Sequence, residues 1–303
     1  MKWQVILLVF LILVSAVFVA FRFSSGQSAN PADVSVSSTI KTSVPDLSTG
    51  VSKVPERDWS VLDPAVPSQA AVVQSLDDNF PFFKYNSYKM WPLASLTKLL
   101  TAVVTIEDIG LDKKVTVTPD VMKTEGEAGD LQAGEIYTSG DLLKIMLMMS
   151  SNRAAAALED YMGPDQFLKV AMDKARAIGM TQTVIYDSSG LNDSNEGTAS
   201  DILLLLNYIL ERDPEIFNYT RLTNLVVQPV NSERSHTVIN IDPLSVRPDF
   251  LGGKTGTSDA AGQNLAAILS LNNRRVAVVI LGSSDRFKEV DDLFVWVKKA
   301  YAF

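Results

Sequence analysis

Apolar, strand-like runs lie at opposite ends of this chain, and they restrict how it can close. Early on, AAVVQSL (residues 70–76) is followed by Asp77-Asp78-Asn79 and a second run from Phe82 to Tyr85. Near the other end, NLAAILSL and RRVAVVIL flank Asn272-Asn273, a two-residue hairpin turn. Between them the pattern is helical. Ala94 to Ile109 has helical spacing and stops at Gly110, expected as a C′ glycine. Thr138-Ser139 can cap DLLKIMLMM, Asn152 opens RAAAALEDYM, Pro164 starts a helix that Gly179 ends, and Ser200 or Thr198 caps DILLLLNYIL. A last helix is expected from about Arg286 to Ala300. Strands at both ends with helices between predict an α/β (α+β) fold. Its antiparallel sheet forms from both chain ends, is flanked by helices and carries an inserted all-helical subdomain at roughly 111–225.

Composition removes many chemistries. The net charge of −8 excludes the basic face that nucleic acid or anionic lipid requires. With no cysteine there is neither a disulfide framework nor a thiolate nucleophile or metal site. His236 is the only histidine.

The first segment bears on compartment. Trp3 to Phe21 contains only Gln4 and Ser15 as polar residues. As a helix it would span about 28 Å, close to a bilayer core. Residues 1–23 therefore read as an N-terminal transmembrane signal anchor, or as a cleaved signal if Ser24-Ser25-Gly26 is a processing site. Residues 24–53 hold 12 serines and threonines with Pro31 and Pro45, so 24–58 reads as a flexible tether. The folded domain is expected to cover 59–303, outside the cytoplasm.

Within ASLTKLL, Ser95 and Lys98 are three apart, hence on one helix face, and the apolar flanks would lower the lysine's pKa. The same spacing recurs at Ser38 and Lys41 in the tether, where nothing could hold a proton relay. Ser150-Ser151-Asn152 lies at a junction between two predicted helices, where side chains can face a cleft; Ser28 to Asn30 and Ser270 to Asn272 repeat it by chance. Lys254-Thr255-Gly256-Thr257, the sole Lys-Thr-Gly, reads as an edge strand along which a substrate backbone could pair, with Lys254 supplying positive charge.

Three such motifs in this order resemble the serine D,D-peptidases: the low-molecular-mass penicillin-binding proteins and their β-lactamase relatives, and most closely the D-alanyl-D-alanine carboxypeptidase branch. The likeness runs from about Ala70 to Trp296 and includes YDSSGLND and GGKTGTSDAAGQNLAAI. It implies cleavage of the terminal D-Ala-D-Ala bond of peptidoglycan stem peptides, covalent inhibition by β-lactams and no cofactor. Ser95 would be the nucleophile, Lys98 its base, Ser150 a proton relay and Asn152 a holder of the substrate amide. Lys254, Thr255 and Thr257 would bind the terminal carboxylate, with Gly256 between them, and the amides of Ser95 and Thr257 would form the oxyanion hole. Ser151 stands where many relatives have glycine. The β-rich second domain and C-terminal amphipathic anchor of many relatives have no counterpart here, and the N-terminal helix is expected to replace that anchor.

Other readings fit less well. A class A β-lactamase would carry Glu-x-x-Leu-Asn, which is absent; Glu159 and Glu196 are the carboxylates to test if deacylation is fast. Zinc peptidases need several histidines, L,D-transpeptidases a cysteine, and Ser-His-Asp hydrolases a Gly-x-Ser-x-Gly elbow. His236 is expected to be a hydrogen-bonded strand-end residue. A D,D-endopeptidase of the same family and a non-enzymatic cell-wall binder remain as alternatives.

Overall fold

The computed structural model describes residues 54–303. The apolar stretch at 3–21, most of the tether and the chance motifs at Ser28 and Ser38 lie outside them. Among the described residues no helix is long and apolar enough to cross a membrane.

Both chain ends meet in one antiparallel sheet, as expected. Its strands are β1 (Ala70–Ser75), β2 (Pro81–Tyr85), β3 (Phe250–Ser258), β4 (Gly262–Leu271) and β5 (Arg274–Ser283). Their spatial order is β3-β4-β5-β1-β2, which leaves β3 on an edge. β1 pairs with β5, setting Val73 opposite Val278 and Ala71 opposite Ile280. Both strands are covered on both faces, so they read as unbroken apolar runs instead of an alternation. Asn272 (φ +48°) and Asn273 (φ +61°) make the β4–β5 turn, as their tolerance of positive φ predicts.

The helices are α1 (Thr97–Val104), α2 (Ser139–Met148), α3 (Asn152–Met162), α4 (Pro164–Ile178), α5 (Ala199–Arg212), α6 (Glu215–Arg221) and α7 (Arg286–Ala300). Alternation along the strands divides the core in two. Val72, Ile268 and Val279 face α1 and α5, while Val73, Leu265 and Val278 face Phe294 and Val297 of α7.

Some expectations need correction. The helix predicted over 94–109 is three pieces: a 3₁₀ turn at Ala94–Leu96, α1, and a π-helical turn at Thr105–Ile109. Thr105 Oγ1 donates back to the Thr101 carbonyl at 2.8 Å, a contact that competes with regular α-helix geometry. Gly110 has φ +86° and ψ 153°, not the left-handed helical C′ conformation expected. Asn152 opens α3, but Ser151 caps it by accepting from the Ala154 amide, and Thr198, not Ser200, caps α5. The insertion is not all-helical, since Lys114–Thr116 pairs with Ile136–Thr138. Three residues with one buried apolar position are too short to show a strand period. The fold also starts before Trp59, because Glu56–Arg57 pairs with Tyr301–Ala302. The Arg57 guanidinium packs over the Trp296 ring, 4.6 Å from its centroid, a contact unreadable in a two-residue polar strand.

One buried side chain couples the sheet to the first motif. Asn264 on β4 has no exposed surface. Its Nδ2 donates to the carbonyls of Pro92 (2.8 Å) and Leu93 (3.1 Å), and its Oδ1 accepts from the Gly282 amide (2.8 Å). The chain is thereby fixed just before Ser95. Asn264→Ala should cost about 2–3 kcal/mol in urea denaturation, because it leaves buried backbone groups unpaired. A variant as stable as wild type would show that the contacts to Pro92 and Leu93 are not needed.

Candidate active site

Ser95 sits in the 3₁₀ turn immediately before α1 and is half-buried. Ala94, just before it, has φ +47°, a left-handed conformation that costs energy for an alanine. The segment Asp187–Leu191 presses on this point: a Cβ at Gly190 would lie 1.9 Å from the Ala94 carbonyl oxygen. Only glycine allows that approach.

One turn on, Lys98 is fully buried, with Leu96, Leu99 and Leu100 buried around it. Its Nζ lies 2.9 Å from Ser95 Oγ, 2.7 Å from Asn152 Oδ1 and 2.5 Å from the Ser189 carbonyl oxygen. The last two can only accept. Asn152 keeps its Oδ1 toward the lysine because its Nδ2 donates to the Glu125 carbonyl at 3.1 Å. Burial first, and then the charge of Lys254, hold the Lys98 amine well below the usual lysine range, with Asp187 opposing. A neutral amine has two N–H bonds and one lone pair. Asn152 and Ser189 take the two N–H bonds, so the lone pair faces the Ser95 hydroxyl.

Ser150 closes the other side. It follows α2 with φ +55°, another left-handed non-glycine at a motif. Its Oγ accepts from Lys254 Nζ at 2.9 Å, which leaves its own proton free to donate. The serine in the middle of this motif has a role of its own: besides capping α3, Ser151 Oγ donates to the Ala128 carbonyl at 2.5 Å.

β3 brings the third motif past these groups along the sheet edge. Lys254 is buried, and burial lowers its pKa to about 7, opposed by Asp242 and aided by Arg286. Its Nζ also donates to the Thr255 carbonyl at 2.8 Å. A Cβ at Gly256 would lie 2.9 Å from the Leu93 carbonyl oxygen and 3.2 Å from the Ser95 nitrogen, so glycine lets the strand lie against the Ser95 turn. Thr255 is buried and Thr257 exposed.

All eight predicted site residues therefore gather at one place, on the 3₁₀ turn at 94–96, α1, the α2–α3 junction and β3. Three further participants were missed. Arg286, the first residue of α7, donates from Nη1 to Thr257 Oγ1 (2.6 Å) and to the Gly256 carbonyl (2.7 Å). Nothing local marks it; the β4–β5 hairpin, pairing Gln263 with Ser283, brings it there. Ser189 contributes only a carbonyl, which no side-chain motif can announce. Asp187 shapes that carbonyl's loop by accepting from the amides of Ser189, Gly190 and Asn192, each at 2.6 Å. Its place in YDSSGLND was the available signal. His236 stands at a strand start with Nε2 3.1 Å from the Tyr137 hydroxyl, the structural part expected of it. Glu159 accepts from the Ser188 amide and has no contact with Ser95 or Lys98.

The model of the D-alanyl-D-alanine carboxypeptidase family matches residues 59–285. The chain belongs to that family. A D-alanyl-D-alanine endopeptidase of Escherichia coli is 28% identical over 246 residues, covering 78% of each chain. A D-alanyl-D-alanine carboxypeptidase of Mycobacterium tuberculosis is 28% identical over 250 residues, covering 78% of this chain and 84% of its own. Among solved structures, a D-alanyl-D-alanine carboxypeptidase of Mycobacterium tuberculosis superposes with a TM-score of 0.74 at 25% identity, over 82% of this chain and 96% of that one. A penicillin-binding protein of Listeria monocytogenes in its cefotaxime-bound form gives 0.69 at 25%, over 78% and 99%. The matched residues include α1, the α2–α3 junction and β3, the elements that carry or adjoin Ser95, Lys98, Ser150 and Lys254.

The two depressed lysines predict a bell-shaped pH dependence of penicillin acylation. Activity should rise on the acid side as Lys98 loses its proton, and fall on the alkaline side as Lys254 loses its charge. Lys254→Arg keeps that charge, so its alkaline limb should move upward from the wild-type position near about 7. An alkaline limb unmoved in this variant would assign it to another group.

Proposed function

We propose that this protein is a serine-type D,D-carboxypeptidase that removes the terminal D-alanine of peptidoglycan stem peptides through an acyl-enzyme on Ser95. The observation that carries the reading is the Ser95–Lys98 contact of 2.9 Å, with the lysine's remaining donors occupied and the amine buried. The Ser95 hydroxyl attacks the scissile carbonyl while its proton passes to Lys98 Nζ. The developing oxyanion is met by the amides of Ser95 and Thr257, a contribution of about 3–4 kcal/mol per donor in comparable sites. The Ser150 hydroxyl, held by Lys254, gives its proton to the departing amine. Ser150 is reprotonated by Lys98, which passes on the proton taken from Ser95 and is neutral again; water then attacks the ester while Lys98 takes its proton and returns it to the Ser95 oxygen as the shortened peptide leaves.

Substrate direction follows from charge. Lys254 and Arg286 form the cationic end of the cleft and would take the terminal carboxylate together with the hydroxyls of Thr255 and Thr257. Arg286 thus joins the predicted set; its guanidinium already bridges β3 at Gly256 and Thr257. Asn152, which contacts Lys98, would hold the substrate's upstream amide.

D,D-endopeptidase activity is the second reading, supported by the E. coli endopeptidase's being as similar to this chain as the M. tuberculosis carboxypeptidase. We further read residues 1–23 as a signal anchor and 24–58 as a tether, which would hold the domain on the outer side of the cell membrane. The support is the length and polarity of Trp3 to Phe21. β-Lactams would acylate Ser95 in the same way as substrate.

Purified domain mixed with penicillin should gain one drug mass, mapped by digestion to the peptide holding Ser95, and keep it for minutes or longer. No Glu-x-x-Leu-Asn carboxylate is present to activate water against the opened lactam. Ser95→Ala should abolish the adduct and Ser38→Ala should not. Many turnovers of hydrolysed penicillin would instead identify a β-lactamase. Digestion of peptidoglycan should release free D-alanine, whereas loss of cross-linked dimers without it would favour endopeptidase.

A further inference from the structure

The segment that enters the domain, 54–67, sends its apolar side chains in two directions. Val61 and Val66 pack against the core that includes Phe294 and Val297 of α7, while Trp59 and Leu62 are 83% and 85% exposed. Single exposed apolar residues are ordinary, but these two are firmly mounted. The Asp58 amide donates to the Ala300 carbonyl at 2.8 Å, and Trp296 Nε1 donates to the Leu62 carbonyl at 2.8 Å. The Arg57 guanidinium, packed on Trp296, also lies 5.4 Å from the centroid of the Trp59 ring. Its Nη2 donates to the Val61 carbonyl and to Asp63, each at 2.9 Å. Trp59 and Leu62 therefore adjoin one fixed cation, on backbone tied to the end of α7.

The rim narrows the occupant. Exposed Glu56, Asp58 and Asp63 stand near Arg57 and near Lys298 and Lys299 in the last turn of α7, so acid and base offset one another. A strongly charged partner gains little from such a rim. Tryptophan beside an aliphatic side chain, with lysines close by, suits the boundary between lipid headgroups and acyl chains. Position in the chain supplies the lipid. The described residues begin at Val54, two before the Glu56–Arg57 strand, and the residues ahead of them include the apolar stretch Trp3 to Phe21. Read as a flexible tether, the 30 residues 24–53 would keep Val54 within roughly 30 Å of the bilayer, at about 5–6 Å times the square root of their number. At that range a weak apolar contact suffices, because tethering raises its effective concentration.

We propose that Trp59 and Leu62 rest in the outer leaflet, at the boundary between headgroups and acyl chains, and so orient the catalytic domain on the membrane. The face concerned is that of α7. Ser95 immediately precedes α1, which packs on the opposite face of the sheet, so this orientation turns the cleft away from lipid. The inference rests on the signal-anchor reading of residues 1–23.

The chain has no cysteine, so one introduced thiol carries a unique probe. Full-length protein with an environment-sensitive fluorophore on Ser60→Cys is reconstituted in phosphatidylcholine vesicles, and Gln166→Cys on the exposed side of α4 serves as reference. The Ser60 probe should shift to the blue and lose emission to nitroxide-labelled lipid, in low and high salt alike, while the Gln166 probe does neither. Adding Trp59→Ser and Leu62→Ser should abolish both changes and leave the protein in the floating vesicle fraction. A Ser60 probe that stays water-like on floating protein overturns the proposal and leaves the anchor reading standing. A blue shift without nitroxide quenching means that protein covers the patch, whether the upstream segment or a second copy, and overturns it as well. Quenching that survives the double substitution does the same. Protein that never floats overturns the anchor reading and this proposal together.

Discussion

A primary amine with no exposed surface must either be neutral or be surrounded by acceptors, and Lys98 stands where both conditions act. Charging an isolated buried amine is costly, and the cost falls as acceptors are supplied. The structure supplies a side-chain oxygen from Asn152 and a backbone oxygen from Ser189, both of which bind equally well to a neutral N–H. It then sets a second lysine close enough for its charge to disfavour the first. The balance leaves a lone pair directed at a serine, which is what general-base activation of a hydroxyl requires. Asn152, the Ser189 loop and the start of α1 all have to be in register for this single arrangement. Much of the surrounding strain becomes intelligible as the means of holding that register. Ala94 and Ser150 keep left-handed backbones, and Gly190 and Gly256 allow contacts no side chain would permit.

Lys254 shows the complementary case. It too is buried, but its surroundings include the opposing charge of Asp242, whereas Arg286 adds to the repulsion. A lysine poised near neutrality is useful in a site that must receive an anion: the incoming carboxylate stabilises the charged form at the moment of binding. The buried Asp242, its own pKa raised chiefly by burial, tempers the repulsion between Lys254 and Arg286 when the subsite is empty. The two buried lysines are thus divided between the motif serines, Lys98 at Ser95 and Lys254 at Ser150.

The large features were legible because they depend on patterns longer than their noise. Buried β1, β4 and β5 appear as apolar runs, Asn272-Asn273 has the backbone tolerance its turn needs, and α7 starts and ends where its composition changes. The motif serines and lysines were legible because side-chain chemistry at fixed spacing is visible in sequence. What escaped was of another kind. The division of the 94–109 helix depends on threonine hydroxyls choosing carbonyls within the helix, and the strand at Glu56–Arg57 exists only because Tyr301–Ala302 offers it a partner. Arg286 and the Ser189 carbonyl enter the site through tertiary placement alone. In Arg286 the residue type was suggestive but its neighbours in sequence were silent.

The choice between trimming a terminal residue and cutting a cross-link turns on space beyond the carboxylate receptor, because both substrates can carry a carboxylate next to the scissile amide. On the proposed reading, Lys254, Thr255 and Arg286 would recognise what the two have in common. Discrimination belongs to whatever flanks them on the leaving-group side, where β3 runs out through the exposed Thr257 to the exposed Asp259 and Ala260. At that end Arg286 is tied to the Gly256 carbonyl and to the Thr257 hydroxyl, and the Asp193 carboxylate accepts from the Ser258 hydroxyl at 2.8 Å. On the proposed reading a larger leaving group would pass over this corner, where the 187–195 loop meets the strand end through the Asp193–Ser258 contact. The same loop carries Ser189 to Lys98, so one segment's conformation sets both the acceptor at the buried amine and the contact at the strand end.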